Sequence, residues 1–364
     1  MKLTEISTIR LINQRIANTE FRSAKEIISW MGAMQAQDYS MAKWAVGLRL
    51  RDSSNDAIEK ALNKGEILRT HLMRPTWHFV SAEDIYWMLE LTSPQIKSLL
   101  RSRHKALELT DTVHLKSKKI IEKALTIGVN LTREELSKEF NKAKIITDDN
   151  RLSHLLLHAE LSGLICSGPL KDKKQTYALL NERIPNKIFF TRDESLAELG
   201  KRYFMSHGPA TINDFAWWSG LSVKDSRLAL DLIKPDFISE IIDSKEYWYS
   251  YPLTNIKQRK INIHLLPAYD EFLISYRDRS ASLNLTHNKN IISDNGIFRP
   301  VIVINGQVSG LWKHSEKNGK IIIEVNFLHP QDNLSTYITK DVICKFETFF
   351  GKATEIIFSS GDKN

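Results

Sequence analysis

The sequence predicts an α+β protein in which tandem winged-helix modules precede a β-rich C-terminal domain. Two observations carry this prediction. Between residues 109 and 258, three short helices followed by a β-hairpin occur twice in the same order, and after residue 258 the pattern changes to paired apolar strands. Three helices and a hairpin are the elements of a winged helix. We expect domains at residues 1–108, 109–190, 191–258 and 259–364.

The N-terminal module is a variant with more helices. Apolar residues at helical spacing predict helices, and two short runs rich in β-branched and aromatic residues predict strands. A further helix begins near Asp84. The predicted helices cover residues 5–15, 24–34, 41–50 and 57–63, and the predicted strands cover residues 67–72 and 76–80.

The second module shows the winged-helix order most clearly. After a helix over residues 113–127, Thr132 and Glu135 form a capping box that opens the next helix. Asp148 or Asp149 opens the third helix, which ends at Leu161. Strands at residues 164–166 and 176–180 then form the hairpin. The third helix would enter a nucleic-acid groove, with the hairpin as its wing.

Basic side chains of this module are candidate DNA contacts, because cationic groups meet phosphates. Any exposed helix and loop carry such residues, so the alternative that these are ordinary solvent-exposed side chains without a role in binding stays open. The candidates are Arg151, His154 and His158 on the third helix and Lys171, Lys173 and Lys174 at the hairpin tip.

The third module repeats this order. Its helices cover residues 194–205, 211–218 and 222–233, with Thr211 and Ser222 at N-caps, and its strands cover residues 237–242 and 247–251. Phe215, Trp217 and Trp218 are more typical of a core than of a base-stacking platform.

The C-terminal region is rich in predicted strands. A hairpin spans residues 301–312 around Asn305-Gly306, which suits a type I′ turn. The other elements are strands at residues 261–266, 320–327 and 355–359 and a helix at residues 340–350. The polar segment over residues 280–298 is either an exposed loop or an inserted hairpin.

Composition excludes several protein classes. The chain has 364 residues, 42% of them hydrophobic, so a packed core is expected rather than disorder. A net charge of +8 is compatible with nucleic acid but also occurs in ordinary soluble proteins. Two cysteines cannot build a disulfide framework or a four-cysteine zinc site, which suits a reducing cytosol. Residues 1–6 lack the apolar core of a secretory signal, and no apolar run is long enough to span a membrane.

The common catalytic motifs are absent from the sequence. It contains no G-x-S-x-G, H-E-x-x-H, Walker A or dinucleotide-binding motif, so we expect no cofactor. His154 and His158 are four residues apart without an evident third ligand, so we expect no metal. Asp270 and Glu271 would face opposite sides of a strand, which argues against a carboxylate pair. For Asp278, which lies between Arg277 and Arg279, a structural ion pair is the simpler interpretation.

Gln35 and Gln37 are the remaining candidates for chemistry. They share a face only if the preceding helix ends near Met34, with Asp38 or Ser40 capping the next helix. The alternative is that both amides merely bond to free backbone ends there. Glutamine does not titrate, but its amide can orient a water and its carbonyl oxygen can stabilise positive charge. A purine alkylated at N7 is already cationic and leaves without a general acid, through an oxocarbenium-like transition state.

Short segments along nearly the whole chain form a recognisable set when taken in order. They are Gln-Ala-Gln-Asp at 35–38, Arg-Thr-His-Leu-Met-Arg-Pro-Thr-Trp-His at 69–78, Tyr203 with His-Gly-Pro-Ala at 207–210, Asp-Phe-Ala-Trp at 214–217, Leu-Leu-Pro-Ala-Tyr-Asp at 265–270, Tyr-Arg-Asp-Arg at 276–279 and Asn-Gly-Gln-Val-Ser-Gly-Leu-Trp at 305–312. Together they resemble the AlkZ-like winged-helix DNA glycosylase family of azinomycin-resistance and interstrand-crosslink-repair enzymes. Pro75 and Leu311 within these segments, and Ser275 just before one of them, depart from the residues that the family favours.

The resemblance implies monofunctional removal of alkylated bases from double-stranded DNA by Gln35 and Gln37, with a β-hairpin reaching into a concave basic surface. Further candidate DNA contacts are Lys43, Arg49, Arg74, His78, Arg277 and Arg279. His78 could equally be a buried core residue. We expect a monomer in the bacterial cytoplasm, associated with the nucleoid through DNA. The alternatives are a non-catalytic, regulatory DNA-binding protein and, less favoured, modules that bind another protein.

Overall fold

The computed structural model describes residues 1–250, 262–329 and 340–358. The predicted α+β class is confirmed, since the described chain contains both helices and mostly antiparallel sheets. The predicted strand ends at residues 251, 261 and 359, and the predicted boundary between residues 258 and 259, lie outside the described residues. No helix in the described part is long and apolar enough to cross a membrane.

The N-terminal segment combines helices with an antiparallel sheet in the order β1-β3-β2. Asp84 precedes the last helix, as predicted. The elements are α1 (Leu3–Asn13), α2 (Ala24–Met31), β1 (Met34–Gln35), α3 (Tyr39–Leu48), α4 (Asn55–Lys64), β2 (Ile67–His71), β3 (Trp77–Ser81) and α5 (Ile85–Ala106).

The next segment has a sheet in the order β4-β6-β5. The capping box of Thr132 and Glu135 is confirmed. The predicted opening of the third helix at Asp148 or Asp149 is wrong, because the helix follows Asn150, whose backbone is left-handed. The elements are α6 (Asp111–Leu125), β4 (Leu131–Thr132), α7 (Arg133–Lys142), α8 (Arg151–Leu161), β5 (Ile165–Ser167), β6 (Thr176–Leu179) and α9 (Leu180–Arg183).

Three helices and a two-stranded sheet follow. Thr211 and Ser222 cap their helices as predicted. Phe215 and Trp218 are buried, whereas the expectation that Trp217 belongs to the core is wrong, since it is 41% exposed. The elements are α10 (Arg192–Ser206), α11 (Ile212–Ser219), α12 (Val223–Ile233), β7 (Phe237–Ile242) and β8 (Lys245–Ser250).

The C-terminal part contains a five-stranded sheet in the order β13-β12-β11-β10-β9, antiparallel except for the parallel pair β12-β13. The segment over residues 280–298 forms short helical turns with one isolated bridge between Ile292 and Phe298, rather than a hairpin. The elements are β9 (Ile263–Leu266), α13 (Glu271–Ile274), α14 (Asn288–Ile291), β10 (Val301–Ile304), β11 (Gln307–Lys317), β12 (Lys320–Phe327), α15 (Lys340–Phe350) and β13 (Thr354–Phe358).

The two ends of the described chain share one hydrophobic core. Trp44 of α3 packs its ring 5.0 Å from that of Phe346 in α15, and its indole N–H donates to the Leu265 carbonyl at 2.9 Å. A second core joins α10 and α11 to the helices around β2 and β3. Strand β1, which carries Gln35, is therefore held between segments that are far apart in sequence.

Candidate active site and nucleic-acid interface

Gln35 ends the short strand β1, and Gln37 lies in the bend that follows it. Helix α2 ends at Met31, and Gly32 takes a left-handed φ of +78° that a residue with a side chain rarely adopts. Gln35 then pairs with His78 across β1 and β3, and the Ala36 N–H donates to the Trp77 carbonyl at 2.7 Å. Asp38 caps α3 by accepting from the Met41 N–H.

The two glutamine side chains have different surroundings. Gln35 is only 5% exposed, and its Oε1 accepts a hydrogen bond from Arg74 Nη2 at 2.9 Å. Gln37 is exposed, and its Oε1 lies 3.4 Å from the Trp77 N–H. Within the described chain neither amide nitrogen has a hydrogen-bond partner. Each carbonyl oxygen has two lone pairs, so both amides retain donor and acceptor capacity for a ligand or water.

A buried carboxylate, Glu271, lies directly behind this motif. It accepts hydrogen bonds from the Gln35 N–H at 2.5 Å, from Trp218 Nε1 at 3.1 Å and from the Ser275 hydroxyl. Burial acts to raise the pKa of Glu271, but His207 and the hydrogen bonds from Ser275 and Gln35 lower it to about 2. The motif therefore has a fixed negative charge behind it at neutral pH.

Sequence reasoning missed Glu271 and its neighbour Asp270 because it treated them as strand residues. Asp270 instead caps α13, and both carboxylates are buried with separate partners. The expectation that they do not form a carboxylate pair is consistent with this arrangement.

Arg69 ties the glutamine motif to the β5-β6 hairpin. Its Nε donates to the Ala36 carbonyl at 3.0 Å, and its Nη1 donates to Gln175 Oε1 at 2.5 Å. Its guanidinium lies 4.2 Å from the centre of the Trp77 ring. Beside it is an open groove of about 440 Å³ whose lining includes Arg133, Lys173 and Lys174. A cationic groove thus begins next to Gln37.

A larger open groove of about 930 Å³ runs between α11, α12 and the loop after α13. Arg277 and Arg279 line it, together with Lys245. The expected ion pair of Asp278 with its flanking arginines is wrong, because Asp278 pairs with Lys245. Arg277 is exposed, and Arg279 is half-buried.

Three predicted DNA contacts are not available to DNA. Arg49 is completely buried and binds both carboxylate oxygens of Asp270, at 2.8 and 2.9 Å. Lys43 is buried and paired with Glu59.

His78 is the third of these corrections. It is completely buried, and its Nδ1 lies 2.9 Å from the Thr76 carbonyl. Burial, with the charge of Arg74 nearby, lowers the pKa of His78 to about 3. His78 is therefore a neutral core residue, which was the alternative that the sequence left open.

The predicted contacts on α8 pack against α6 and against the C-terminal end of α5. Arg151 donates to the carbonyls of Ile146 and Leu107. His154 and His158 are half-buried in a cluster with His104 and His114, in which the rings of His114 and His158 stack at 3.8 Å. Among the described residues no group of histidine, cysteine or acidic side chains is arranged to hold a metal ion.

The predicted contacts at the hairpin tip are exposed. Lys171 pairs with Glu135 at 2.6 Å. Lys173 and Lys174 are exposed and have no ion pair in the part of the chain that the structure describes. They are therefore the hairpin cations best placed to meet a phosphate.

Comparison with known proteins adds independent findings. The profile of a family described as "DNA glycosylase AlkZ-like" matches residues 28–336. A Streptomyces sahachiroi protein named "Interstrand DNA cross-link repair glycosylase" is 24% identical over 313 residues, covering 80% of this chain and 82% of that protein. The solved structure of S. sahachiroi DNA glycosylase AlkZ is similar with a TM-score of 0.83 at 20% identity, covering 99% of this chain and 100% of that one.

Proposed function

The chain belongs to the AlkZ-like DNA glycosylase family, and from this premise we propose that it hydrolyses the N-glycosidic bond of alkylated purines in double-stranded DNA. The observation that carries the proposal is the pairing of two uncharged amides, on Gln35 and Gln37, with the buried carboxylate of Glu271 behind them. This set can stabilise a cation and orient a water, but it offers no strong proton donor for a neutral leaving base.

The chemistry follows from the charge of the substrate. An N7-alkylated purine leaves as a neutral base, so the positive charge shifts to the sugar in an oxocarbenium-like transition state. The ionised Glu271 supplies negative potential there, and the amide oxygens supply partial negative charge. We propose that Gln37 positions the attacking water, whereas Gln35 supports the water and the sugar cation. A normal base, which needs protonation to leave, would react far more slowly.

The surroundings of the motif support hydrolysis by water rather than attack by an amine. Lys43 lies near Tyr39, just after the motif, but its ammonium is buried and paired with Glu59. A lysine whose nitrogen is buried and held in an ion pair is not free to attack the sugar. We therefore propose a monofunctional enzyme.

The order of elements supports a DNA surface built from winged helices. We propose modules at residues 1–108, 109–190 and 191–258, followed by the domain at residues 259–364. The basic groove beside Gln37 would follow the phosphates of one strand, with Lys173 and Lys174 on the β5-β6 hairpin as the wing. We expect the protein to act as a monomer on the bacterial chromosome.

The lesion class extends to bulky adducts and crosslinks. Because Gln37 is exposed and the adjoining groove is open, an adduct larger than a methyl group has room beside the motif. The relative named as an interstrand DNA cross-link repair glycosylase supports including crosslinked purines among the substrates.

The proposal is tested with duplexes that carry either N7-methylguanine or a nitrogen-mustard crosslink, beside an unmodified duplex. Abasic sites are counted after alkaline strand cleavage. We expect release from the alkylated duplexes and none from the unmodified control. Release from neither alkylated duplex, with DNA binding intact, would contradict the enzyme and favour a DNA-binding protein without catalysis.

A further inference from the structure

Trp217 is the exposed member of an otherwise buried aromatic cluster. Its neighbours on α11, Phe215 and Trp218, are completely buried, whereas Trp217 is 41% exposed. Its indole N–H donates to the Ile274 carbonyl at 2.9 Å, which fixes the orientation of the ring. A large ring held in one orientation at the surface can stack on a base with little loss of entropy.

Two guanidinium groups flank this ring. Arg74 and Arg279 lie 6.0 and 5.6 Å from its centre. Neither arginine has an ion pair among the described residues, and Arg74 Nε is buried without a hydrogen-bond partner there. Glu271 and Asp214 are the acidic side chains that act most strongly on these arginines through their charge, but both accept their hydrogen bonds from other donors. Each guanidinium group is therefore left without a direct anionic partner.

The contact between Trp217 and Arg74 is built into the fold. Gly220 caps the C-terminal end of helix α11 with a φ of +71°, and a Cβ there would lie 3.2 Å from the backbone nitrogen of Arg74. The absence of that Cβ lets the end of α11 approach the turn that carries Arg74. Burial lowers the pKa of Arg279 to about 10, which leaves it charged at neutral pH.

We propose that Trp217, Arg74 and Arg279 form a nucleotide-binding subsite that takes a nucleotide flanking the lesion, a step that rests on the proposed function. The indole stacks on the base of that nucleotide, and the two guanidinium groups hold its phosphate. The occupant is not the lesion base itself, since a cationic purine would be repelled by two arginines. A phosphate supplies the direct ion-pair partner that neither arginine has among the described residues, and guanidinium geometry matches it.

The subsite also acts on the candidate active site, because Arg74 is shared. In the free protein Arg74 donates to Gln35 Oε1, which places a positive charge beside the position of the sugar cation. A phosphate that binds Arg74 neutralises this charge and competes for its N–H groups. Gln35 Oε1 then becomes available to the water and the sugar. Binding of the flanking nucleotide thus prepares Gln35 for the reaction.

The test compares Trp217→Ala and Trp217→Phe with Phe189→Ala, which alters a side chain that is 75% exposed and lies outside the site. The probe is a duplex with N7-methylguanine for base release and a duplex with a tetrahydrofuran abasic analogue for binding. We expect Trp217→Ala to weaken binding and raise KM about tenfold, Trp217→Phe to recover most of the loss, and Phe189→Ala to change neither.

The phosphate is tested with methylphosphonate groups placed singly at the phosphates flanking the lesion. One such position should weaken binding by the wild-type protein and have much less effect on Arg279→Ala, because the contact is already lost. Equal binding and KM for Trp217→Ala and wild type, with no methylphosphonate position that distinguishes Arg279→Ala, would overturn the subsite while leaving the glycosylase intact. If the proposed glycosylase activity is wrong, the wild-type protein will release no base. The comparison of binding to the abasic-analogue duplex will still support or overturn the subsite.

Discussion

The carboxylate of Glu271 accepts a hydrogen bond from the backbone N–H of Gln35 at 2.5 Å, although 236 residues separate them in sequence. This bond joins helix α13 of the C-terminal part to strand β1, which carries Gln35 and precedes Gln37. Glu271 therefore has two effects on Gln35, since it fixes the backbone and places a negative charge behind the amide.

Glu271→Gln should separate these two effects. The glutamine keeps one carbonyl oxygen that can accept from the Gln35 N–H but removes the charge and the second oxygen, which accepts from Trp218 Nε1. Base release should fall at least about tenfold in kcat with KM nearly unchanged. The measurement is single-turnover and steady-state release from an N7-methylguanine duplex. Glu271→Ala serves as the comparison, because it leaves both the Gln35 N–H and the Trp218 N–H without an acceptor and should lower the unfolding free energy more than Glu271→Gln does. An unchanged kcat for Glu271→Gln would show that the charge has no catalytic part.

The buried pair of Arg49 and Asp270 should contribute to stability rather than to DNA binding. Asp270→Asn leaves a buried guanidinium without its anion, which costs about 3–5 kcal/mol in unfolding free energy. Glu139→Gln is the matched control, because its partner Lys142 is exposed and such pairs are worth about 1 kcal/mol or less. Urea unfolding measures both. Similar losses of unfolding free energy in Asp270→Asn and Glu139→Gln would contradict a larger contribution from the buried pair than from the exposed pair.

Acid should destabilise the protein through His78. Because burial lowers its pKa to about 3, the folded state keeps His78 neutral while the unfolded state binds a proton below pH 6.5. The contribution of neutral His78 to the free energy of unfolding is therefore fully present above pH 6.5 and is lost progressively as the pH drops towards 3. At pH 5 the loss from His78 is about 2 kcal/mol, at about 1.4 kcal/mol for each pH unit.

The check is urea unfolding at pH 7 and pH 5 for the wild type and His78→Asn, whose amide can replace the Nδ1 donor without titrating. The variant should lose about 2 kcal/mol less than the wild type between the two pH values. Equal losses would mean that His78 is protonated at little cost in the folded protein.

The hairpin lysines should set the salt dependence of DNA binding. If Lys173 and Lys174 each meet one phosphate, replacing both with alanine should reduce the slope of log K against log salt by about 2. Lys118→Ala, on the exposed side of α6 and partly paired with Glu122, is the control and should leave the slope unchanged. Fluorescence anisotropy over a salt series measures the slope. A slope that the double variant does not change would remove the hairpin from the interface.

Local signals predicted the elements well, because helix caps and turn residues act over a few positions. Thr132, Thr211 and Ser222 cap helices as expected, since each is followed three residues later by an acidic side chain. The predicted start of α8 was wrong because Asn150 adopts a left-handed backbone conformation, which delays the helix until Arg151.

The surroundings of the site were harder to predict, because they depend on contacts between distant segments. Neighbouring residues of a helix point about 100° apart, so the sequence alone does not show whether Trp217, Trp218 or both face the core. Which of them is exposed depends on how α11 packs. Likewise Arg49 looks like a DNA contact in the sequence, and only the fold brings Asp270 to it.

The most direct test of the central claim measures base release by Gln35→Ala, Gln37→Ala and the double variant on an N7-methylguanine duplex, with binding to an abasic-analogue duplex as the check on folding. If the two amides act on one water and one sugar cation, each single variant should lose at least about a hundredfold in kcat. The double variant should lose much less than the product of the two, since residues that act as a unit are not additive. Release at the wild-type rate by both single variants would contradict the site.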